Sequence, residues 1–178
     1  MKENLKNKKI GIVVPQKNFW RDELEPVLEK LDELGCEVYI IAREFETCSS
    51  LERYTVTPDL TTTDFNANDF DGLILMGGPG AINYCWNDAE LIEKLQIVKN
   101  SNPKILALST APVVLAKAGL LEGKKATVFQ DFNANLIFDD HKVIYEKDRI
   151  IVSDNIITTN LKDAALEALE KFLEKVGE

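Results

Sequence analysis

The sequence predicts a doubly wound α/β sandwich, a mainly parallel sheet with helices on both faces, and three observations carry that prediction. Short continuous apolar runs alternate with amphipathic segments from end to end, as expected of parallel strands covered on both faces. The chain has 178 residues without an internal repeat or linker, enough for one domain that buries roughly 70% of its unfolded surface. At Lys104–Leu115 an apolar strand runs straight into a helix, the junction on which open α/β sheets build their sites.

Taken in order, Met1–Lys9 is a polar leader, charged and without an apolar stretch behind it long enough to be an export signal. Residues 10–178 form the single domain. Ile10–Val14 is the first strand. A helix follows with Leu24, Val27, Leu28, Leu31 and Leu34 on one side, and Gly35 caps its end. Glu37–Ile41 is the second strand. Residues 43–68 are less regular, with Thr61–Asp64 the most loop-like part and one short strand expected around Tyr54–Val56. Gly72–Met76 is a buried strand that runs into Gly77-Gly78-Pro79-Gly80. Asn87 and Glu90 have capping-box spacing ahead of a helix whose apolar face is Leu91, Ile92, Leu95 and Val98. Lys104–Leu108 is the next strand, its following helix stops at Gly119, and Lys125–Phe129 is a further strand. Residues 149–152 and 155–159 read as a strand pair or as one strand interrupted at Asp154-Asn155. A last helix places Leu161, Ala165, Ala168, Leu169, Phe172 and Val176 on one face.

Composition excludes several classes of function. Thirty acidic residues against 21 basic ones give a net charge of −9, unsuited to nucleic acid phosphates or anionic membranes. No apolar run approaches the roughly 20 residues that span a bilayer. The three cysteines (Cys36, Cys48, Cys85) are scattered without a CxxC pair, which fits reduced thiols in a cytoplasm rather than a disulfide framework or zinc site. Neither a metal nor a cofactor is expected.

The candidate site lies at the carboxyl ends of the strands. Ser109 stands at the strand-to-helix turn, where a sharp elbow strains the backbone and lifts the side chain above the sheet. Ala107 and Ala111 are the small residues such a turn needs, and Pro112 suits the first helical turn. Gly77 and Gly78 end the neighbouring strand, where bare backbone N–H groups form an oxyanion hole or, more plainly, a glycine turn. Glu23 lies in the first turn after the first strand; alone it reads as a solvated acid favoured by the helix dipole. His141, the sole histidine, is the other candidate base for Ser109, against the blander reading of a surface histidine in the charged turn Asp139-Asp140-His141-Lys142. Those adjacent residues do not make a metal site without partners from elsewhere. A crevice filled by Phe19, Trp20 or Trp86 would indicate a closed site.

Three segments resemble the ThiJ/PfpI superfamily, a group with the class I glutamine amidotransferase-like fold. Asp71–Ala81 (DGLILMGGPGA) is similar to its PGG signature, Ala118–Thr127 (AGLLEGKKAT) to its AGLLKGRKAT segment, and Ile151–Thr159 to its C-terminal strand pair. The resemblance covers nearly the whole chain beyond the leader. It implies a flavodoxin-like sandwich, commonly a homodimer, among proteins that include intracellular peptidases, glyoxalase- or deglycase-type enzymes, chaperones and redox sensors. The family elbow reads A-hydrophobic-C-H-G-P, whereas this chain has Ala107-Leu108-Ser109-Thr110-Ala111-Pro112. Serine thus stands for the nucleophilic cysteine, and Thr110 for the histidine beside it. Glu23 falls at the family's acidic position. The resemblance therefore leaves two expectations. One is an enzyme centred on Ser109, with Gly77, Gly78 and Thr110 binding the ligand or oxyanion and Glu23 or His141 as base. The other is a non-catalytic member whose pocket binds a small molecule.

Overall fold

In the computed structural model, which describes residues 2–178, the chain lays down its elements as follows. Helix α1 (Lys2–Leu5) precedes β1 (Lys9–Val13), a short β2 (Lys17–Phe19), α2 (Arg21–Glu33) and β3 (Glu37–Ala42). Then come β4 (Cys48–Ser50), β5 (Thr55–Val56), β6 (Leu60–Thr61), β7 (Gly72–Leu75), α3 (Pro79–Tyr84) and α4 (Ala89–Ile97). Strand β8 (Ile105–Ala107) feeds α5 (Pro112–Lys117), followed by β9 (Lys125–Ala126), α6 (Phe132–Asp140) and β10 (Ile144–Tyr145). The chain ends with β11 (Ile150–Ser153), β12 (Ile156–Thr159) and α7 (Ala165–Gly177).

The main sheet runs β11-β12-β8-β7-β1-β3-β6, all parallel except the edge strand β11. The chain moves outward from β1 to β3 and β6, then crosses back to β7 on the other side of β1. That reversal makes the carboxyl ends of β1 and β7 a topological switch point, where a crevice opens.

Strand residues alternate strictly between two cores, because successive side chains point to opposite faces. Ile10, Ile12, Ile74 and Leu106 pack with Leu24, Val27 and Leu31 of α2 and Leu169 and Phe172 of α7. Val13, Leu73, Leu75, Ile105 and Ala107 pack with α4, α5 and α6 on the other side. The continuous apolar strands of the sequence are the consequence of this double covering. Gly72 is obligatory in β7, since a Cβ there would lie 2.5 Å from Phe172 Cζ.

Several sequence expectations need correction. Leu5, inside the segment read as a polar leader, is fully buried. The cap of α4 is Asp88, which accepts from Leu91 N–H, and not Asn87 with Glu90. The strand expected over Lys125–Phe129 is only two residues long and pairs with β10 outside the main sheet. Of the two readings left open for residues 149–159, the strand pair is the one formed: residues 150–153 and 156–159 run antiparallel, closed by Asp154 at φ +54°. Leu161 lies before α7 and is exposed rather than on its core face.

Gly72→Ala is expected to destabilise the fold by about 1–3 kcal/mol, because the inserted methyl overpacks against Phe172. Urea unfolding with an unchanged m-value and a lowered midpoint is the expected readout. An unchanged midpoint would mean that Phe172 yields freely.

Candidate functional site

The site is assembled from three chain segments at the switch point: the start of α2, the turn after β7 and the turn after β8. Ser109 has φ +49°, a left-handed backbone that costs a non-glycine residue roughly 1–2 kcal/mol. The strain is held by a dense set of hydrogen bonds. Ser109 N–H donates to Thr159 Oγ1 at 3.1 Å, and Phe129 N–H donates to Ser109 O at 2.8 Å. Gly78 N–H donates to Ser109 Oγ at 3.2 Å. Thr110 Oγ1 donates to Gly78 O at 2.8 Å, and Trp86 Nε1 donates to Thr110 O at 2.9 Å.

The two glycines are there for different reasons. A Cβ on Gly77 would overlap Ser109 Oγ and Leu108 O, so the β7 and β8 turns could not come together with any larger residue. Gly78 has φ +90°, a conformation that L side chains disfavour, and it opens α3 without a side-chain cap.

Glu23 is fully buried rather than solvated. Its Oε1 accepts from Gly77 N–H at 2.7 Å. Its Oε2 is buried without a hydrogen-bond partner. Burial pushes the carboxyl up to about 7, against the opposing pull of the Gly77 N–H and the nearby Ser109 hydroxyl. Ser109 is thus close enough to favour the ionised form without completing a hydrogen bond.

The structure brings Ser109, Thr110, Gly77, Gly78 and Glu23 together. It does not bring His141, which ends α6, donates its N–H to Ile137 O and does not line the crevice at Ser109. Among the described residues, Thr110 N–H meets no protein acceptor. The residue after an elbow nucleophile commonly supplies an oxyanion donor from this position. The thiols play no part in the crevice. Burial raises both Cys85 and Cys48, the latter to about 11, so both remain protonated. Cys36 is half-buried, and its thiol donates to Leu5 O at 3.5 Å.

Above Ser109 and Thr110 lies an open cavity of about 280 Å³, walled by Trp20, Ile82, Phe129 and Leu161. Phe19 belongs to the core and Trp86 is held beneath Thr110, so neither fills it. Sequence reasoning missed the wall residues Ile82, Phe129 and Leu161. Each lies in a turn or a short helix whose position depends on the whole sheet, and no local pattern marks it.

Comparison with known proteins converges on one group. Residues 8–175 match the sequence profile described as the DJ-1/PfpI family. The "Uncharacterized protein MJ0967" of Methanocaldococcus jannaschii is 33% identical, over 96% of this chain and 86% of its own length. "Deglycase PH1704" of Pyrococcus horikoshii is 30% identical, over 61% of this chain and 64% of that protein. The ThiJ/PfpI domain protein from Brachyspira murdochii has the same fold, with a TM-score of 0.86 at 18% identity, over 96% of this chain and 97% of that one.

The buried carboxyl makes stability fall with rising pH. The folded Glu23 binds its proton more tightly than the unfolded one, whose ordinary value is 4.5. Stability is therefore fully present below pH 4.5 and is lost as pH rises towards about 7, by about 3 kcal/mol in all. Glu23→Gln keeps an acceptor for Gly77 N–H but cannot ionise, so its urea midpoint should lack that component of the decline. Parallel midpoint–pH curves for the two proteins would show that Glu23 is not the titrating group.

Proposed function

The chain belongs to the DJ-1/PfpI family, and from that premise we propose that it processes small carbonyl or acyl compounds, with Ser109 in place of the family's nucleophilic thiol and Glu23 as its base. The observation that supports this most is the buried Glu23 carboxyl, with a pKa near 7 and a free oxygen beside the strained serine. A hydroxyl is inert without a base. Thr110 cannot accept a proton at useful pH, but a carboxylate tuned to about 7 is as basic as a histidine.

In the proposed reaction Ser109 Oγ attacks the carbonyl carbon while its proton passes to Glu23 Oε2. The carbonyl oxygen becomes an oxyanion facing the free Thr110 N–H, a contact usually worth about 3 kcal/mol. With an ester or amide, collapse expels the alcohol or amine, which takes the proton from Glu23. Water then gives a proton to Glu23 and attacks the acyl group, and the proton returns to Ser109 as the acid leaves. With an aldehyde the oxyanion takes the proton back from Glu23, and the sequence stops at a reversible hemiacetal. We further propose a cytoplasmic homodimer.

One observation favours a second reading, a non-catalytic binding protein. The N–H groups of Gly77 and Gly78 are already taken up by Glu23 and Ser109, so two of the expected oxyanion donors are engaged inside the resting protein.

A fluorophosphonate serine probe separates the two. The enzymatic reading expects a single adduct that Ser109→Ala abolishes, with a labelling rate that rises with pH through about 7 as Glu23 ionises. Glu23→Gln should slow labelling at least 100-fold. A folded protein that takes no adduct between pH 6 and 9 would leave the binding reading in its place.

A further inference from the structure

We propose that the compound taken at Ser109 is an uncharged carbonyl compound with an aromatic or branched aliphatic body, and not a peptide, a sugar adduct or a carboxylate. The inference rests on the reading of the Ser109 crevice as the functional site, and it names what fits there.

The walls carry it. Trp20 and Phe129 flank the cavity, Ile82 and Leu161 complete its apolar lining, and Ser109 and Thr110 form the floor. Phe129 is 45% exposed and Leu161 43% exposed. An apolar body seated between them would remove both from water, a gain proportional to the area covered. The backbone N–H of Phe129 donates to Ser109 O at 2.8 Å, so the point from which the ring projects is fixed beside the floor.

Polar ligands find few partners. The polar backbone of a peptide, or the hydroxyls of a sugar, would be stripped of water against these walls without replacement hydrogen bonds, which is costly. The one charged side chain at the rim, Lys162, is already committed. Its Nζ lies 2.7 Å from Asp22 Oδ2 and 4.4 Å from the centre of the Trp20 ring. It braces the Trp20 wall rather than offering a vacant cation, and Glu23 beneath the floor repels a carboxylate whenever it is ionised. Size gives a further limit. About 280 Å³ holds roughly nine groups of water size at about 30 Å³ each, which suits a single ring bearing a carbonyl.

The test uses simple amides, the slowest-cleaved of the acyl compounds considered, on the full-length protein at pH 7.5, followed by tryptophan fluorescence or by ligand-observed NMR, which also registers any cleavage. Benzamide should bind at least tenfold more tightly than acetamide, benzoate, glyceraldehyde or N-acetylalanine amide. Phe129→Ala and Leu161→Ala should each weaken benzamide about tenfold and leave acetamide unchanged, with Phe129→Leu intermediate. Equal or tighter binding of benzoate, glyceraldehyde or the amino-acid amide would overturn the proposal, as would no measurable benzamide binding. The two readings fail separately. Benzamide discrimination without a serine adduct would sink the catalytic reading alone, and an adduct without discrimination would sink the substrate class alone.

Discussion

The desolvated carboxyl of Glu23 is the constraint around which the site is organised. Three loops from distant parts of the chain meet at it, and its hydrogen bond from Gly77 N–H links α2 to the turn after β7. A buried carboxyl with one oxygen unpartnered is unfavourable, and the fold carries it on the strength of two large apolar cores. The penalty appears as the rise in its pKa and is the source of its basicity. An exposed glutamate at the same helical position would be a weak base. Moved into the core, the same side chain has the proton affinity of a histidine.

The strain at Ser109 depends on the same neighbourhood. A left-handed serine persists only where its surroundings over-determine it, and here the bonds from Phe129, Gly78 and to Thr159 fix both ends of its peptide and its hydroxyl. Gly77 allows this by having no side chain. Glycine at 77, small residues at 107 and 111, and a hydroxyl at 109 are one steric solution seen from different strands. Replacing any member would be felt at the others, since closely packed interiors transmit volume changes.

How much of this was legible in the sequence follows from the range over which each feature is decided. The main strands and the helices α2, α4 and α7 show themselves, because their apolar periodicity is local and both faces of the sheet are covered. The elbow shows itself for the same reason, as small residues and a proline at fixed offsets around Ser109. What was hidden is set by pairing across long separations. Phe132–Asp140 hides its helix because α6 is apolar on its solvent side as well, with Phe132 and Leu136 exposed opposite Ala134 and Phe138. Of the small sheet of β2, β4 and β5, only β5 shows itself, as the short strand expected around Tyr54–Val56; β2 and β4 are three-residue strands that no periodicity can mark. Glu23 is the sharpest case. Its position next to Asp22 and Glu25 suggests solvent, yet the helix turns it inward while Asp22 pairs outside with Lys162. Only the direction of α2 relative to β7 decides between them.

The identity of the elbow residue decides on which side of pH 7 the same geometry works. A thiol is already a few per cent ionised at neutral pH, and a protonated carboxyl that donates to its sulfur favours the thiolate further. A hydroxyl stays neutral and needs the carboxylate. With Glu23 near 7, both forms are populated in neutral water, so a serine and a cysteine at this elbow would draw on opposite halves of one titration. The serine also lies outside the chemistry of sulfenic and sulfinic acids, because oxygen has no such oxidation ladder. On the proposed reading, then, the chain keeps the scaffold and the carboxyl while giving up redox sensitivity. Its selectivity shifts from the reactivity of the nucleophile to the shape of the apolar walls, since a weaker nucleophile gains most from a substrate already held in place.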